Sequence, residues 1–300
     1  MVTQVRRFNR LVTQRVGALD DRFLGRRRPL GEARLLWEIG PEGREVRWLR
    51  EQLGLDSGYL SRMLRGLEAA GLVTVGPGER DRRVRTARLT AAGRRERALL
   101  DRRSDLLAES VLEPLNSRQR ERLVTSMAEV ERLLTAAMVT IEPLDPEHPH
   151  ARHCLREYAA ELDRRFRKGF DPALSISAGA AELRPPGGLL LVAWLQGEPV
   201  GCGALKFHAD APTELKRMWV AEQARGLGLG RRLLAELEAH AARGPSLVLR
   251  LETNETLGEA IALYRSAGYA EVEPFNDEPY AHHWFEKRLP EAQGTSPAAR

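Results

Sequence analysis

The run Leu215-Lys-Arg-Met-Trp-Val220, continued by Ala221-Glu-Gln-Ala-Arg-Gly-Leu-Gly-Leu-Gly230 and by Arg231-Arg-Leu-Leu-Ala-Glu-Leu237, reads as strand, glycine-rich turn and helix. In such a turn backbone N–H groups and the positive end of a helix meet phosphate. Spacing decides which phosphate. Gly226, Gly228 and Gly230 alternate, so no Gly-x-Gly-x-x-Gly dinucleotide fingerprint passes through them, and no Gly-Lys-Ser/Thr closes a nucleoside-triphosphate loop. What remains is Arg225-x-x-Gly228-x-Gly230 directly after a strand that starts at Glu214.

Outward from the turn, residues 140–150 hold three prolines and mark a domain junction or a first strand with its turn. Cys154–Arg167 carries Leu155, Tyr158, Ala159, Leu162 and Phe166 at helical spacing. Leu189–Leu195 and Val200–Phe207 are apolar strands joined by the turn Gln196-Gly-Glu-Pro199. Downstream come a strand at Ser246–Leu251, a helix at Glu255–Ala267 ended by Gly268, and a strand at His282–Leu289.

The glycine turn together with Ala260-Ile-Ala-Leu-Tyr264 and Ala267-Gly-Tyr269 resembles the acetyl-CoA signature of the GNAT acetyltransferase superfamily, over residues 140–289. The resemblance implies an α/β fold with a mixed, partly splayed sheet. Pantetheine would lie between the strands Glu214–Val220 and Leu247–Leu251, its amides on the backbone of Met218, Trp219 and Val220. The pyrophosphate would rest on Arg225, Gly226, Leu227, Gly228, Leu229, Gly230 and Arg231. Tyr264 would be the general acid, since a phenol stays protonated at neutral pH. Where many members have asparagine, three residues before the Ala-Ile pair, this chain has Leu257; Asn254 is the nearby candidate for that cofactor contact. Glu214 is the candidate base. An acid there equally pairs Arg217 or holds the substrate's amino group, and a water relay does the same work.

The first half has a different grammar. Val2–Leu24 is an amphipathic helix, Leu30–Ile39 a buried one, and Val46–Leu53 a short one stopped by Gly54. Asp56-Ser57 caps a fourth helix running to Ala70, with Leu60, Met63, Leu64 and Leu67 inward. Ser57, Tyr59, Ser61, Arg62 and Arg65 lie off that stripe; arginine pairs guanine bidentately in a major groove, and hydroxyls reach bases or phosphates. A hairpin with a basic tip follows, through Arg80, Arg82 and Arg83, and then long helices up to Met138.

Leu55-Asp-Ser-Gly-Tyr-Leu-Ser-Arg-Met-Leu-Arg65, Gly71-Leu-Val, Asp81-Arg-Arg83 and Leu89-Thr-Ala-Ala-Gly93 resemble the MarR family of winged-helix regulators, over residues 1–140. The resemblance implies a mainly α, dimeric winged helix-turn-helix. Ser57–Ala70 would be the recognition helix. Arg83, steadied by Asp81, would enter the minor groove, and the terminal helices Val5–Leu24 and Ser117–Met138 would make the dimer. The operator would then be a pseudo-palindrome with half-sites about 10 bp apart.

Composition agrees with two soluble domains, 1–139 and 140–289, and a tail at 290–300: 300 residues, 42% hydrophobic and 30% charged. Residues 1–140 hold 28 Arg, no Lys and 19 acids, whereas the rest holds 19 basic residues against 23 acids. A basic half suits phosphate backbones. Two cysteines make no secreted-type disulfide framework, and no signal peptide or membrane span is visible, which leads us to expect a reduced, cytoplasmic chain. His148, His150, His153 and Cys154 are neighbours, but the prolines among them and the lack of CxxC or HExxH spacing argue against a metal. Two functions are expected to compete: a regulator that is also an acetyl-CoA-dependent N-acetyltransferase, and a regulator whose second half senses acetyl-CoA or an amine.

Overall fold

The computed structural model describes residues 1–19, 23–26, 28–78, 81, 83–176 and 178–291. The chain divides into two units, Met1–Met127 and Ala128–Arg300, with the division inside one helix, upstream of the expected boundary after residue 139.

In the first unit α1 covers Val2–Arg15, shorter than the periodicity predicts. Gly17, at φ +67°, breaks the pattern after it, and Leu24 falls in a separate 3-10 turn, Phe23–Gly25. α2 (Leu30–Ile39) is central, with Ala33, Leu35, Leu36 and Ile39 fully enclosed. α3 (Val46–Leu53) ends on left-handed Gly54, as a C-cap glycine should. α4 (Ser57–Ala69) begins where the Asp56 carboxylate accepts from the Tyr59 amide at 2.8 Å.

The sheet beside these helices has order β1-β3-β2, from β1 (Arg44–Glu45), β2 (Val73–Pro77) and β3 (Arg85–Leu89). β1 has two residues, too few to show any alternation, and the sequence does not disclose it. α5 (Ala91–Leu112) is capped by Thr90, which accepts from the Gly93 amide at 3.0 Å. α6 (Ser117–Ala137) follows.

The second unit is built on a seven-stranded mixed sheet of order β4-β5-β6-β7-β8-β10-β9. Its strands are β4 (Thr140–Pro143), β5 (Gly188–Leu195), β6 (Glu198–Lys206), β7 (Thr213–Val220), β8 (Val248–Thr253), β9 (Ala270–Val272) and β10 (His283–Arg288). All pairings are antiparallel except β7 with β8. α7 (Pro149–Arg165), α8 (Leu229–Ala241) and α9 (Gly258–Ser266) pack on it. Leu233, Leu234 and Leu237 of α8, with Leu249 and Leu251 of β8 and Phe285 of β10, form its main core. A second apolar cluster joins Ala151 and Cys154 of α7 to Leu190, Val192, Cys202 and Ala204.

Two features of β7 open the sheet. Gly203 of β6 faces both Arg217 and Met218, because pairing runs Cys202 with Trp219 and then Ala204 with Lys216. Arg217 takes φ +58° at this bulge, a costly conformation for a side chain of its size. A Cβ on Gly203 would stand 2.7 Å from Met218 Sδ and 2.6 Å from Leu237 Cδ1, so any larger residue there would have to push those two side-chain ends aside. On the other side, β7 pairs β8 only at Thr213 with Leu249 and Glu214 with Arg250, and the strands then diverge. No helix among the described residues is long and apolar enough to cross a membrane.

Candidate functional site

The divergence of β7 and β8 leaves a cleft of about 470 Å³ lined by the C-terminal end of β7, the glycine turn, the start of α8, α7 and α9. Gly226 and Gly228 have φ of +77° and +73°, and nothing lies within 4 Å of a Cβ placed on either. The turn therefore needs glycine for its backbone and leaves both positions open. α8 starts at Leu229, and its first internal bond is from the Arg232 amide to Gly228 O, so the amides of Leu229, Gly230 and Arg231 have no partner within the helix. Those donors and the helix dipole suit a diphosphate.

α7 holds the turn in place. Arg225 donates to Val220 O at 3.1 Å and to Glu161 Oε2 at 2.5 Å, and the Trp219 indole N–H donates to the same oxygen at 3.0 Å. Arg231 donates to Ser266 Oγ and has no ion pair among the described residues, which leaves it as the free cation of the turn. Opposite, Tyr264 of α9 is buried at 4% exposure yet lines the cleft, and its hydroxyl has no hydrogen-bond partner among the described residues. Burial pushes its phenol above the ordinary range, and the neighbouring Tyr158 and Glu252 add to the effect.

A second, smaller cavity, about 70 Å³, shares Tyr158, Leu162 and Leu257 with the first. Lys216, Arg217, Glu252 and Glu278 place charge in it, and Phe166, Phe170 and Tyr280 give it an aromatic wall with ring centroids 5.0–5.8 Å apart.

In the first unit α4 presents Ser57, Tyr59, Arg62 and Arg65 outward, with Ser61 half-buried. Arg62 stands over the Tyr59 ring, and Arg65 Nε donates to Ser61 O. Glu68 of α4 accepts from the Val75 amide of β2 at 3.0 Å, which fixes the helix against the hairpin. At the hairpin tip the Asp81 carboxylate accepts from the Arg83 amide at 2.9 Å.

Family models match both regions: one described as an acetyltransferase (GNAT) domain over residues 186–271, and one of the MarR family over residues 27–84. The chain joins a MarR-family domain to a GNAT acetyltransferase domain. An IAA acetyltransferase of Azospirillum brasilense is 43% identical over 91 residues, 30% of this chain and 58% of that protein. An uncharacterised N-acetyltransferase of Schizosaccharomyces pombe is 35% identical over 97 residues, 32% of this chain and 60% of that one. The chain thus spans under two thirds of the length of these curated relatives. A crystal structure described as an acyl-CoA N-acyltransferase of Klebsiella pneumoniae is 31% identical, over 51% of this chain and 99% of that one, with a TM-score of 0.42.

Most of the residues singled out in the GNAT domain come together. Met218, Trp219, Val220, Arg225, Gly226, Gly228, Leu229, Gly230, Arg231 and Tyr264 all line the larger cleft. Leu227 lies in the turn, but its side chain packs on the core. Asn254 requires correction as a cofactor contact. It lines the smaller cavity instead, its amide donates to Tyr280 O at 2.7 Å, and its Oδ1 accepts from both the amide and the hydroxyl of Thr256, so its capacity is spent on bracing the loop.

Glu214 requires the larger correction. It sits where β7 still pairs with β8 and lines neither cavity. It is 5% exposed and joins Arg250 at 2.9 Å, Lys216 at 3.2 Å and His208 at 3.4 Å. Burial pushes its carboxyl up, but Lys216 and Arg250 outweigh that and hold it below the usual carboxylate range. A carboxylate locked between two cations away from the cleft is a structural ion, not a base.

Sequence reasoning missed Tyr158, Glu161 and Arg165 of α7 as cleft residues, and Glu252 and Glu278 in the smaller cavity. In the MarR domain, Arg80 and Arg82 lie outside the described residues. The dimer helix expected over Val5–Leu24 is α1 as far as Arg15 only.

Proposed function

We propose that this protein is a DNA-binding regulator and an acetyl-CoA-dependent N-acetyltransferase acting on a small amine. The reading is carried by one observation: β7 leaves β8 after Glu214 beside a turn whose open glycines and unpartnered amides face the same cleft as Tyr264.

Acetyl-CoA fits the residues present and supplies an activated thioester when bound. The amides of residues 226–231 and the Arg231 guanidinium would hold its diphosphate, and the backbone of Met218–Val220 would take the pantetheine. A backbone N–H on the open strand stabilises negative charge on the thioester oxygen. Tyr264 keeps its proton at neutral pH and delivers it to the departing sulfur.

In the MarR domain, α4 with Ser57, Tyr59, Ser61, Arg62 and Arg65 enters a major groove and Arg83 a minor groove. The apolar residues of α1 (Val5, Phe8, Leu11 and Val12) are 39–57% exposed and none of the helix is buried, as suits a helix that pairs with a second copy. The operator is then a pseudo-palindrome read by a homodimer. Leu257, an apolar residue at the family's asparagine position, favours a second reading in which the GNAT domain binds acetyl-CoA without turnover.

A thioester-cleavage assay over a panel of amines separates the two: turnover on any amine supports the enzyme, and tight cofactor binding with none supports the sensor. For DNA, R62A relaxes sequence preference, and R83A weakens binding evenly across sequences. A gel shift on the protein's own promoter that neither substitution changes removes the DNA assignment.

A further inference from the structure

The smaller cavity holds one acceptor without a donor and one cation without an ion pair among the described residues. Glu252, on β8 just past the point where β7 departs, has a side chain 9% exposed. Its Oε1 is paired with Lys216 Nζ, but its Oε2 is enclosed and has no hydrogen-bond partner among the described residues. An enclosed carboxylate oxygen without a donor is costly, and its position in a cavity wall beside the cleft gives that cost a purpose. The residues behind it already balance: Arg250 with Glu214, and Lys216 between Glu214 and Glu252. Among the described residues no other donor reaches Oε2, which leaves that oxygen for a ligand.

The cavity's unpaired charge is positive. Arg217 lines the same cavity, held at its strained φ of +58°, with its guanidinium over the Tyr158 ring, 5.5 Å from the centroid. It has no ion pair among the described residues. Burial pushes the Tyr158 phenol up and Arg217 opposes this, so the phenol stays neutral and leaves the guanidinium uncompensated. Glu278, the other carboxylate there, is consumed by Ser175 Oγ, the Ile176 amide and the Tyr280 amide.

We infer that the smaller cavity receives an acceptor carrying a primary amine and a carboxylate on the same carbon, that is, a free α-amino acid, with its ammonium on Glu252 Oε2 and its carboxylate on Arg217. The inference rests on the acetyltransferase reading and narrows its substrate. Size agrees: about 70 Å³ admits a head group of a few heavy atoms. Charge agrees as well, because a guanidinium binds a carboxylate in a fork that a simple amine cannot use. A peptide terminus offers the amine but an uncharged amide in place of the carboxylate.

The transfer balances. The ammonium gives one proton to Glu252, and the freed lone pair forms the N–C bond to the acetyl carbon as the C–S bond breaks. The sulfur takes the proton of Tyr264, and the second proton lost by nitrogen restores the Tyr264 hydroxyl. Glu252 then passes its proton to solvent.

The test uses matched pairs (alanine with ethylamine, leucine with isoamylamine, phenylalanine with phenethylamine) and the amino-acid amides, on the full chain with acetyl-CoA. The wild type acetylates an amino acid at least about 10-fold better in kcat/KM than its matched amine or amide. R217Q lowers kcat/KM for the acid about 10- to 100-fold and narrows that gap, and R217K restores part of it. E252Q cuts kcat about 100-fold or more with both series. Calorimetry with coenzyme A present shows the amino acid binding the wild type and binding R217Q at least 10-fold more weakly, while unchanged coenzyme A affinity shows the bulge intact. Amines or amides turned over as well as the acids, equal losses on both series in R217Q, or full turnover in E252Q overturn the acceptor class alone. Acetyl-CoA binding without turnover or binding of either series overturns the acetyltransferase reading with it.

Discussion

Glu161 Oε2 accepts a hydrogen bond from Arg225 Nη2 at 2.5 Å, which ties the C-terminal part of α7 to the first residue of the glycine turn. The pair is uneven, with Glu161 14% exposed and Arg225 46% exposed. Its worth lies less in Coulomb attraction, which solvent screens at Arg225, than in fixing where the turn's amides point. E161A therefore leaves the fold in place, frees Arg225 and the Trp219 indole together, and weakens coenzyme A binding about 10-fold, or about 1.4 kcal/mol, by calorimetry. Unchanged affinity would show that the turn is rigid without α7.

Gly93 lies in the first turn of α5 against the Leu72 carbonyl. A Cβ there would stand 2.0 Å from Leu72 O, in a place where backbone cannot yield. Glycine to alanine inside a helix ordinarily stabilises by about 1 kcal/mol. Here the sign reverses: G93A destabilises the MarR domain by about 3 kcal/mol or more in denaturant titration and abolishes operator binding.

Y264F tests the acid. Turnover falls about 100-fold with coenzyme A affinity unchanged. Because burial raises the Tyr264 phenol above its usual value near 10, the protonated form is favoured in the folded state. Its contribution is fully present below pH about 10 and is lost only as pH rises beyond that, so kcat in the wild type does not fall for want of this acid between pH 8 and 10.

Glu214 now predicts stability rather than catalysis. E214Q leaves Arg250 and Lys216 short of a counter-charge in a buried network and costs about 3 kcal/mol, roughly 6–12 °C in Tm. The folded carboxyl is held below its usual range, so its contribution is complete above that range and is lost as pH falls through the folded value. The gap in Tm between wild type and E214Q should shrink on acidification from pH 7 to about pH 3.

The glycine turn, α4 and the β2–β3 hairpin are readable because each has local chemistry: glycines at positive φ, an Asp56 cap, a four-residue apolar stripe. Strands β1 and β9, of two and three residues, have no period to read. Tyr158, Glu161 and Arg165 sit on a helix whose apolar spacing announces packing, and nothing in that spacing marks which polar neighbours face a cleft. Glu214 was misplaced for a geometric reason. Alternation along β7 tells which face a side chain takes, whereas where β7 departs from β8 is set by long-range pairing that ends at Arg250. The same divergence, two residues on, puts Glu252 at the cavity that Glu214 does not reach.

Calorimetric titration of folded, full-length protein with acetyl-CoA and with coenzyme A is the most direct measurement. One site per chain is expected for each ligand, lost in G228V. Absence of heat with both ligands, from protein whose folding is verified by circular dichroism, would contradict it.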